Sequence, residues 1–309
     1  CLAAFQASQV YSCVDMRSSY HQIPLAPESR EKTAFVTSSG LWEYTRCSMG
    51  LSISSGALLL TLNRCLAGLE CVVVYCDDIA VFSDSEAQHL KDLVAVFSRL
   101  QRAGIQLSAT KVDLFLTQMD FLGFTVSAAG IKPSLKKVEA IASFPRLNTA
   151  KSAASFAGMV GYYREYIPRL SEILTPVYQA INLRPYVRTK QVDACQDRLR
   201  KELMSPSLMN HHVRWDRLFV LTTDGAPSRG LGGILEQADD QGNLRPVAYC
   251  SRTLTAYESA YCSQQIEILA GLFAMERWRH FLQHMVFLWV VDCTQIRWIP
   301  VSYTHLRAH

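Results

Sequence analysis

Ten cysteines are scattered through the 309 residues, and no two of them have the CxxC spacing. That absence argues against a zinc module or a thioredoxin-like redox site. Nearly half of the chain is apolar, at 49%, so packed cores can form without disulfides. We therefore predict free thiols in a reducing compartment.

The sequence also lacks an apolar run of the roughly 20 residues that a membrane-spanning helix needs. It has no recognisable signal peptide and no initiator methionine. The lack of a membrane span and of a signal peptide predicts an intracellular protein, cytoplasmic or nuclear. We expect both ends to be truncated and residues 300–309 to be a non-native tail, because that stretch has no apolar pattern.

The formal net charge of the whole chain is small, at +4, but the charged residues are unevenly distributed. Residues 132–202 contain 13 Lys and Arg against 6 Asp and Glu, so the rest of the chain is slightly acidic. A basic middle segment suits contact with a phosphate backbone. A basic solvated surface is the alternative interpretation of the same charge.

Hydrophobic periodicity divides the chain into two differently patterned halves. Helices are predicted over 54–69, from 84 or 85 to 104, and over 136–181 with interruptions at Pro145 and Pro168. Strands are predicted over 9–14, 33–37, 72–74, 79–82 and 121–126. Residues 182–190 read as a linker. Beyond residue 212 three strands, a helix over 256–282 and a strand over 286–291 indicate a separate α/β unit.

Tyr75-Cys76-Asp77-Asp78 is the most informative tetrapeptide, because two adjacent carboxylates stand between apolar strands. Such acids repel each other unless a cation neutralises them. A pair of Mg²⁺ ions would do so, and two-metal phosphoryl transfer needs a further carboxylate from another element. Asp15, at the end of an apolar strand, is the candidate. A solvated turn is the alternative for the dipeptide taken alone.

Five segments in order resemble the reverse transcriptase of gypsy-type LTR retrotransposons. They are residues 14–23 (VDMRSSYHQI), 32–37 (KTAFVT) with Gly40 and Glu43-Tyr44 after it, 75–78 (YCDD), 121–124 (FLGF), and 161–164 (GYYR) followed by Ile167-Pro168 and Leu174-Thr175-Pro176.

The resemblance implies an α/β fold with an α+β palm of the right-hand polymerase type. Residues 1–131 would be the palm with partial fingers, 132–211 a helical thumb and connection, and 212–299 a truncated ribonuclease H-like domain. The implied function is RNA-directed DNA polymerase with a ribonuclease H-type endonuclease segment. Implied partners are an RNA or DNA template with primer, deoxynucleoside triphosphates and RNA–DNA hybrid, within a larger Pol polyprotein. Two Mg²⁺ ions per active site are implied as cofactors, with Mn²⁺ as a substitute.

The same resemblance implies roles for single residues. Asp15, Asp77 and Asp78 would be metal ligands, and Gly50 would belong to the nucleotide pocket. Tyr20 would lie beneath the incoming sugar and leave no room for a 2′-hydroxyl, unless it is an ordinary core aromatic. Lys111 is placed like a lysine that protonates leaving pyrophosphate, and a solvated lysine is the alternative.

Residues 48–55 (SMGLSISS), followed by Leu58-Leu59, depart from the family pattern Pro-Phe-Gly-Leu-x-Asn-Ala-Pro and Phe-Gln. Gly50 and Leu51 remain, while the Asn, both Pro and the Gln are replaced. This departure favours a decayed or co-opted nucleic-acid-binding protein without catalysis. The missing basic fingers strands add the expectation that the chain polymerises inefficiently. An RNA-dependent RNA polymerase is a further alternative, which Tyr20 and the ribonuclease H segment oppose.

A second acidic set comprises Asp224, Glu267 and Asp292, from a strand, a helix and the end of a strand. Small residues at helical spacing from Glu267, namely Ala270, Gly271 and Ala274, would let the helix approach the sheet closely. Three unrelated surface acids are the alternative. The resemblance, here carried by residues 249–254 and 267–270, implies a second two-metal phosphodiester site. The family also uses a fourth Asp and a His loop, so we expect this segment to be inactive alone.

Overall fold

The computed structural model describes residues 5, 8–205, 208, 210–227 and 230–292. The predicted tail at 300–309 lies outside these residues. The chain forms two compact units. The first consists of Cys1–Phe121 and Val126–Ala129, and the second consists of Leu122–Thr125 and Gly130–His309. Each unit mixes helices and strands. The residues predicted as thumb and connection fall in the same unit as those predicted as ribonuclease H-like.

The first unit is built on a four-stranded antiparallel sheet in the order β4-β5-β1-β6. The strands of this unit are β1 (Val10–Met16), β2 (Phe35–Thr37), β3 (Gly40–Trp42), β4 (Val72–Tyr75), β5 (Asp78–Ser83), β6 (Leu107–Leu116) and β7 (Gln118–Phe121). Its helices are α1 (Pro27–Arg30), α2 (Ser54–Cys65) and α3 (Glu86–Arg102), with 3₁₀ turns at Ser19–Gln22 and Glu31–Thr33. β2 and β3 form a separate hairpin.

Two helices cover this sheet because their apolar residues recur at helical spacing. Leu58, Leu62 and Leu66 come from α2 and its end, and Leu93, Val96 and Leu100 come from α3; all are buried against Val14 and Ile79. Burying a side chain of this size contributes about 1.5–3 kcal/mol. The Ser85 side chain accepts a hydrogen bond from the Gln88 backbone N–H and begins α3. Gly104 adopts φ 71° just after the helix ends, as its C-terminal position predicts.

A polar network lies inside the first unit between α3 and the sheet. The His89 side chain is completely buried, and its ring nitrogens lie 2.7 Å from Ser12 Oγ and 2.9 Å from Ser83 Oγ. Ser83 Oγ donates to Asp92 Oδ2 at 2.6 Å. Ser83 must therefore accept from Nδ1–H of His89, which leaves Nε2 to accept from the Ser12 hydroxyl. A neutral imidazole therefore satisfies every hydrogen bond of this network.

The second unit begins with helices and ends with a sheet. Its helices are α4 (Leu135–Ala142), α5 (Ala150–Gly161), α6 (Leu170–Asn182), α7 (Lys190–Leu203), α8 (Ser263–Arg277) and α9 (Arg279–Leu282), with a 3₁₀ turn at Glu258–Ala260. Its sheet has the order β12-β11-β10-β13. The strands are β10 (Phe219–Ala226), β11 (Gly230–Ala238), β12 (Leu244–Arg252) and β13 (Phe287–Val290). Only the β10–β13 pairing is parallel. The chain passes between units through β8 (Phe124–Ser127) and β9 (Gly130–Pro133).

Several predicted elements differ from the structure. The single strand predicted over 121–126 is wrong, because Leu122 and Gly123 adopt φ 52° and 78° and separate β7 from β8. The helix predicted over 256–282 begins only at Ser263. Strand β6 and helix α7 were not predicted. Most side chains of β6 are exposed, so this edge strand has no apolar alternation to detect.

Among the helices that the structure describes, none combines the length and the apolar character that a bilayer span requires.

The buried imidazole predicts a pH dependence of stability. Burial lowers the pKa of His89 below its usual 6.5, partly opposed by Asp92. The unfolded chain therefore takes up this proton more readily, and stability should fall as pH drops below 6.5, by at most about 1.4 kcal/mol per pH unit. Urea unfolding between pH 7.5 and 5.5 measures this slope. His89→Gln should flatten it and His21→Gln, at an exposed histidine, should not; an unchanged slope in His89→Gln would contradict the prediction.

Candidate active sites

The acids of the first unit are brought together by strand pairing. Tyr75 and Asp78 are register partners at the end of the β4–β5 hairpin, so Cys76 and Asp77 form its turn. Cys76 adopts φ 53°, which a two-residue hairpin turn requires and a non-glycine residue rarely adopts. On the other side of β5, Asp78 is the register partner of Asp15 on β1. The three predicted carboxylates thus occupy one end of the sheet.

The electrostatics of this cluster show mutual repulsion. Burial raises the pKa of Asp78, and the charges of Asp77 and Asp15 raise it further, while Lys111 opposes them. Lys111 Nζ lies 2.9 Å from Asp15 Oδ2. That hydrogen bond raises the pKa of Lys111, so the ammonium stays protonated beside the acids. The neighbouring Cys13 thiol has its pKa raised to about 11, by burial first and then by nearby aspartates.

The donor set of the first unit fits a divalent ion. A partly buried carboxylate whose pKa is raised by two neighbouring acids gains most from a cation, and carboxylate oxygens are the ligands that Mg²⁺ prefers. Within the described ranges no three His, Cys, Asp or Glu side chains form a ready-made metal cluster. Side-chain rearrangement would therefore have to accompany binding. Lys111 holds part of the compensating positive charge in this structure.

Tyr20 lies on the 3₁₀ turn Ser19–Gln22, which follows β1 directly. Its ring packs partly buried against the apolar core, and its hydroxyl lies 3.2 Å from Ser55 Oγ. Gly50 adopts φ 89° in the loop before α2. In the altered segment Ser54 Oγ donates to the Ser48 carbonyl at 2.9 Å, so this loop is internally hydrogen-bonded. Leu58 from the same segment is a core residue.

The Leu122-Gly123 turn in the second unit is held by two tyrosines. Tyr162 Oη donates to the Leu122 carbonyl at 2.6 Å, and Tyr163 Oη donates to the Gly123 carbonyl at 3.2 Å. Burial raises the pKa of Tyr163 to about 12. The Lys137 side chain also lies beside Gly123. The turn is therefore fixed from one side by aromatic hydroxyls.

The acids of the second unit also converge. Asp224 lies on β10, Glu267 on α8, and Asp292 just beyond β13. The parallel register pairs Thr222 with Val290, so Asp224 and Asp292 each follow that pair by two residues. Burial raises the pKa of Glu267, as do the charges of Asp224 and Asp292, against a hydrogen bond with the Gly225 backbone that lowers it.

One oxygen of this second acidic set has no partner among the residues that the structure describes. Glu267 Oε2 is buried without a hydrogen bond. A buried unpaired carboxylate oxygen is costly, and a divalent ion held with Asp224 and Asp292 would satisfy it. The second donor set therefore fits a metal ion as well.

Close helix–sheet packing brings Glu267 to Asp224, as the small-residue stripe predicts. Ala270 and Ala274 are completely buried. A Cβ on Gly271 would lie 2.1 Å from Trp289 Cζ2, and one on Gly225 would lie 2.6 Å from the Ile266 carbonyl oxygen. Neither position can hold a larger residue without movement of the backbone or of a ring.

Arg169 is a site residue that sequence reasoning missed. Its Nη2 donates to Asp224 Oδ2 at 2.6 Å. The residue precedes α6, 55 positions before Asp224, and a lone arginine in a basic segment carries no motif signal. Only the folded chain brings the two together.

Family comparisons agree with both halves of the chain. Residues 1–126 match the family described as reverse transcriptase (RNA-dependent DNA polymerase). Residues 214–308 match the family described as RNase H-like domain found in reverse transcriptase.

Similar proteins are retrotransposon polyproteins. The chain is 33% identical over 295 residues to the retrovirus-related Pol polyprotein from transposon 297 of Drosophila melanogaster, covering 94% of this chain and 27% of that protein. It is 31% identical to the corresponding polyprotein from transposon gypsy of the same organism, covering 91% of this chain and 28% of the relative. The chain thus spans little more than a quarter of these relatives. The predicted resemblance to gypsy-type elements is confirmed.

Solved structures show the same fold. A foamy viral protease-reverse transcriptase dRH in complex with double-stranded DNA superposes with a TM-score of 0.84 at 20% identity, covering 97% of this chain and 53% of the other. The foamy viral protease-reverse transcriptase in complex with RNA/DNA hybrid gives a TM-score of 0.83, covering 97% and 41% respectively. The predicted α/β polymerase fold with a ribonuclease H-like part is confirmed.

The tight packing of α8 predicts that Gly271→Ala is destabilising. The added methyl would meet Trp289, whose Nε1 is held by Thr223 Oγ1 at 2.9 Å. We expect a loss of about 1–3 kcal/mol in the free energy of unfolding. Gly158→Ala in α5, where a Cβ meets nothing within 4 Å, is the matched control. It should be neutral or stabilising by up to about 1 kcal/mol. If urea unfolding gave the same change in free energy for both substitutions, contact with Trp289 would not be what restricts the size of the side chain at position 271.

Proposed function

Because this chain belongs to the reverse transcriptase and ribonuclease H region of gypsy-type retrotransposon Pol polyproteins, we propose that it serves RNA-directed DNA synthesis by two-metal nucleotidyl transfer. The observation that carries the proposal is the pairing of Asp15 with Asp78 across β1 and β5, with Asp77 in the adjoining turn. The substrates would be a primed RNA or DNA template and deoxynucleoside triphosphates.

Asp15, Asp77 and Asp78 would hold two Mg²⁺ ions. When bound, these ions would activate the primer 3′-hydroxyl and stabilise charge on the attacking and leaving oxygens. The contribution of the chain is to fix the backbone positions of the acids on paired strands and their turn, so that only side chains need to move when ions bind.

Lys111 is the proposed proton donor to pyrophosphate. Its bond to Asp15 raises its pKa, so it carries a proton at neutral pH. If Asp15 gave its oxygens to a metal ion, the Lys111 ammonium would be free to reach the leaving group. The side chain is 66% exposed, and so it can move without breaking core contacts.

Tyr20 is proposed to select deoxyribonucleotides. Its ring packs partly buried against the core, and its hydroxyl lies 3.2 Å from Ser55 Oγ. A ring held by core packing would leave little room for a 2′-hydroxyl. Gly50 would contribute a backbone turn to the same nucleotide pocket.

The helical segment 132–211 is proposed to contact the template–primer backbone. Several of its basic residues are neutralised within the protein: Arg146 and Arg200 by Asp197, Arg188 by Asp193, and Arg198 by Glu202. Contact with phosphate would therefore fall to others such as Lys136 and Lys137 on α4. Contacts of this kind are independent of sequence and weaken with salt.

Asp224, Glu267 and Asp292 are proposed as a ribonuclease H-type site for RNA–DNA hybrid, again with two divalent ions. The support is that the charges of Asp224 and Asp292 both act on Glu267, whose buried Oε2 has no hydrogen bond among the described residues. Inactivity of this segment alone stays a prediction.

Primer extension on poly(rA)–oligo(dT) with Mg²⁺ tests the polymerase proposal. Asp77→Asn should lower the rate by about 100-fold or more, since loss of a metal ligand removes several kcal/mol of transition-state stabilisation. Asp84→Asn, at an exposed aspartate just after β5, should leave the rate unchanged.

Binding of RNA–DNA hybrid, measured on the same samples, separates a chain that lacks catalysis from a chain that does not bind its template and primer. No extension by the unsubstituted chain, with hybrid binding retained, would favour a binding protein without catalysis. Equal loss of extension in Asp77→Asn and Asp84→Asn would reject the metal-ligand role.

Tyr20→Val should raise ribonucleotide incorporation relative to deoxyribonucleotide incorporation, because it removes the ring proposed to block the 2′-hydroxyl. Tyr20→Phe, which loses only the contact with Ser55, should retain the discrimination. Single-nucleotide extension with dTTP and UTP gives the ratio. If the unsubstituted chain uses both equally well, Tyr20 has no such role.

A further inference from the structure

Arg169 reaches an acid of the ribonuclease H-type site from outside that fold. The residue lies immediately before α6 and adopts φ 51°. Its guanidinium is 2.6 Å from Asp224 Oδ2 and 4.0 Å from Glu172 Oε2. The Arg169 and Asp224 side chains are both about half exposed, at 49% and 47%. The ion pair is therefore open to exchange with solvent ions and ligands.

The backbone around Arg169 is tied to the sheet at two points. The Ser171 N–H donates to Ser251 Oγ at 3.0 Å, and the Tyr249 N–H donates to the Glu165 carbonyl at 3.0 Å. An ion pair between Arg277 and Glu165, at 2.8 Å, adds a third link. The start of α6 is thus held at the sheet, and the position of Arg169 at the acidic site is a property of the fold.

The start of α6 and the sheet enclose a small cleft between them. Its lining residues are Arg169, Ser171, Glu172, Asp224, Gly230, Leu231, Gly232 and Ser251. Two of the three residues that β11 contributes to the lining, Gly230 and Gly232, are glycines. In the part of the chain that the structure describes, no other Lys or Arg forms an ion pair with Asp224.

A guanidinium and a divalent ion compete for the same carboxylate. Asp224 must give its oxygens to the ion if it is to act together with Glu267, whose Oε2 has no hydrogen bond within the described ranges. With its oxygens engaged in that way, Asp224 would no longer pair with the Arg169 guanidinium. Glu172 can keep Arg169 at the mouth of the cleft. A phosphodiester held at the site would be the nearest new anion, and its oxygens match the planar fork of an arginine.

We propose that Arg169 is a phosphate-binding residue of the ribonuclease H-type site, resting on Asp224 in the absence of a divalent ion and contacting the backbone of RNA–DNA hybrid once Asp224 holds one. The inference rests on the proposed ribonuclease H-type site and adds to it a substrate contact from the helical segment. Segment 212–299 alone would lack that contact.

Hybrid affinity with and without Ca²⁺, measured on the full chain by fluorescence anisotropy, tests the proposal. In EDTA, Arg169→Gln should change the affinity by less than about twofold, since Arg169 is then engaged with Asp224. In Ca²⁺ it should weaken binding by about tenfold, as expected for one charge-assisted contact. The slope of log affinity against log salt should fall in magnitude by about 0.9, the value for one phosphate contact on a duplex.

Two variants serve as comparisons. Arg169→Lys should give an intermediate loss, because it keeps the charge without the planar fork. Arg245→Gln removes an arginine of similar exposure, 46%, that pairs with Asp239 at 2.9 Å. It should leave hybrid affinity unchanged in both conditions.

Mn²⁺ binding without nucleic acid, followed by electron paramagnetic resonance, gives a readout independent of activity. Sites lost in Asp224→Asn are assigned to the acidic set, and Arg169→Gln should raise their affinity several-fold. If Asp224→Asn changes no Mn²⁺ binding, the proposed ribonuclease H-type site itself fails. If that site binds Mn²⁺ but Arg169→Gln causes no Ca²⁺-dependent loss of hybrid affinity, the inference is overturned, with or without a change in Mn²⁺ affinity.

Discussion

Repulsion between carboxylates that the backbone forces together is the constraint on which both candidate sites depend. Strand pairing places Asp15 opposite Asp78, and close packing of α8 on β10 places Glu267 beside Asp224. In each case burial adds to the repulsion and raises a pKa. Nearby positive charge relieves this repulsion. Lys111 and Arg169 supply it here, each through an ion pair shorter than 3 Å, and divalent ions would supply it during the proposed reactions.

The two units reach this arrangement by different means. In the first unit a hairpin turn with Cys76 at φ 53° lies between the paired strands, so sheet register alone positions the acids. In the second unit the acids come from a helix and two strands, and glycines at 225 and 271 permit the close approach. Strained backbone at Cys76 and Arg169 coincides with the acidic sites, which agrees with the tendency of functional sites to depart from local preference.

Helices and strands were predictable where the hydrophobic pattern of the sequence matched the burial of the side chains in the folded chain. Helix α3 has a serine cap, an apolar stripe and a terminal glycine, and it lies nearly where the pattern predicts. Strand β6 was not predicted because its side chains are mostly exposed. Helix α7 was not predicted either; it begins where the predicted linker over 182–190 ends. The single strand predicted over 121–126 was wrong because Leu122 and Gly123 adopt positive φ angles that interrupt it. The apolar pattern of the sequence does not reveal such backbone angles.

The sequence by itself indicated the family, the order of its motifs and the six candidate acids, because these depend on residue type and spacing along the chain. Only the tertiary structure decided which cations oppose those acids. Lys111 lies 96 positions from Asp15, and Arg169 lies 55 positions from Asp224. Coulomb interaction depends on distance in space, and a linear pattern carries no information about contacts between side chains so far apart in the chain.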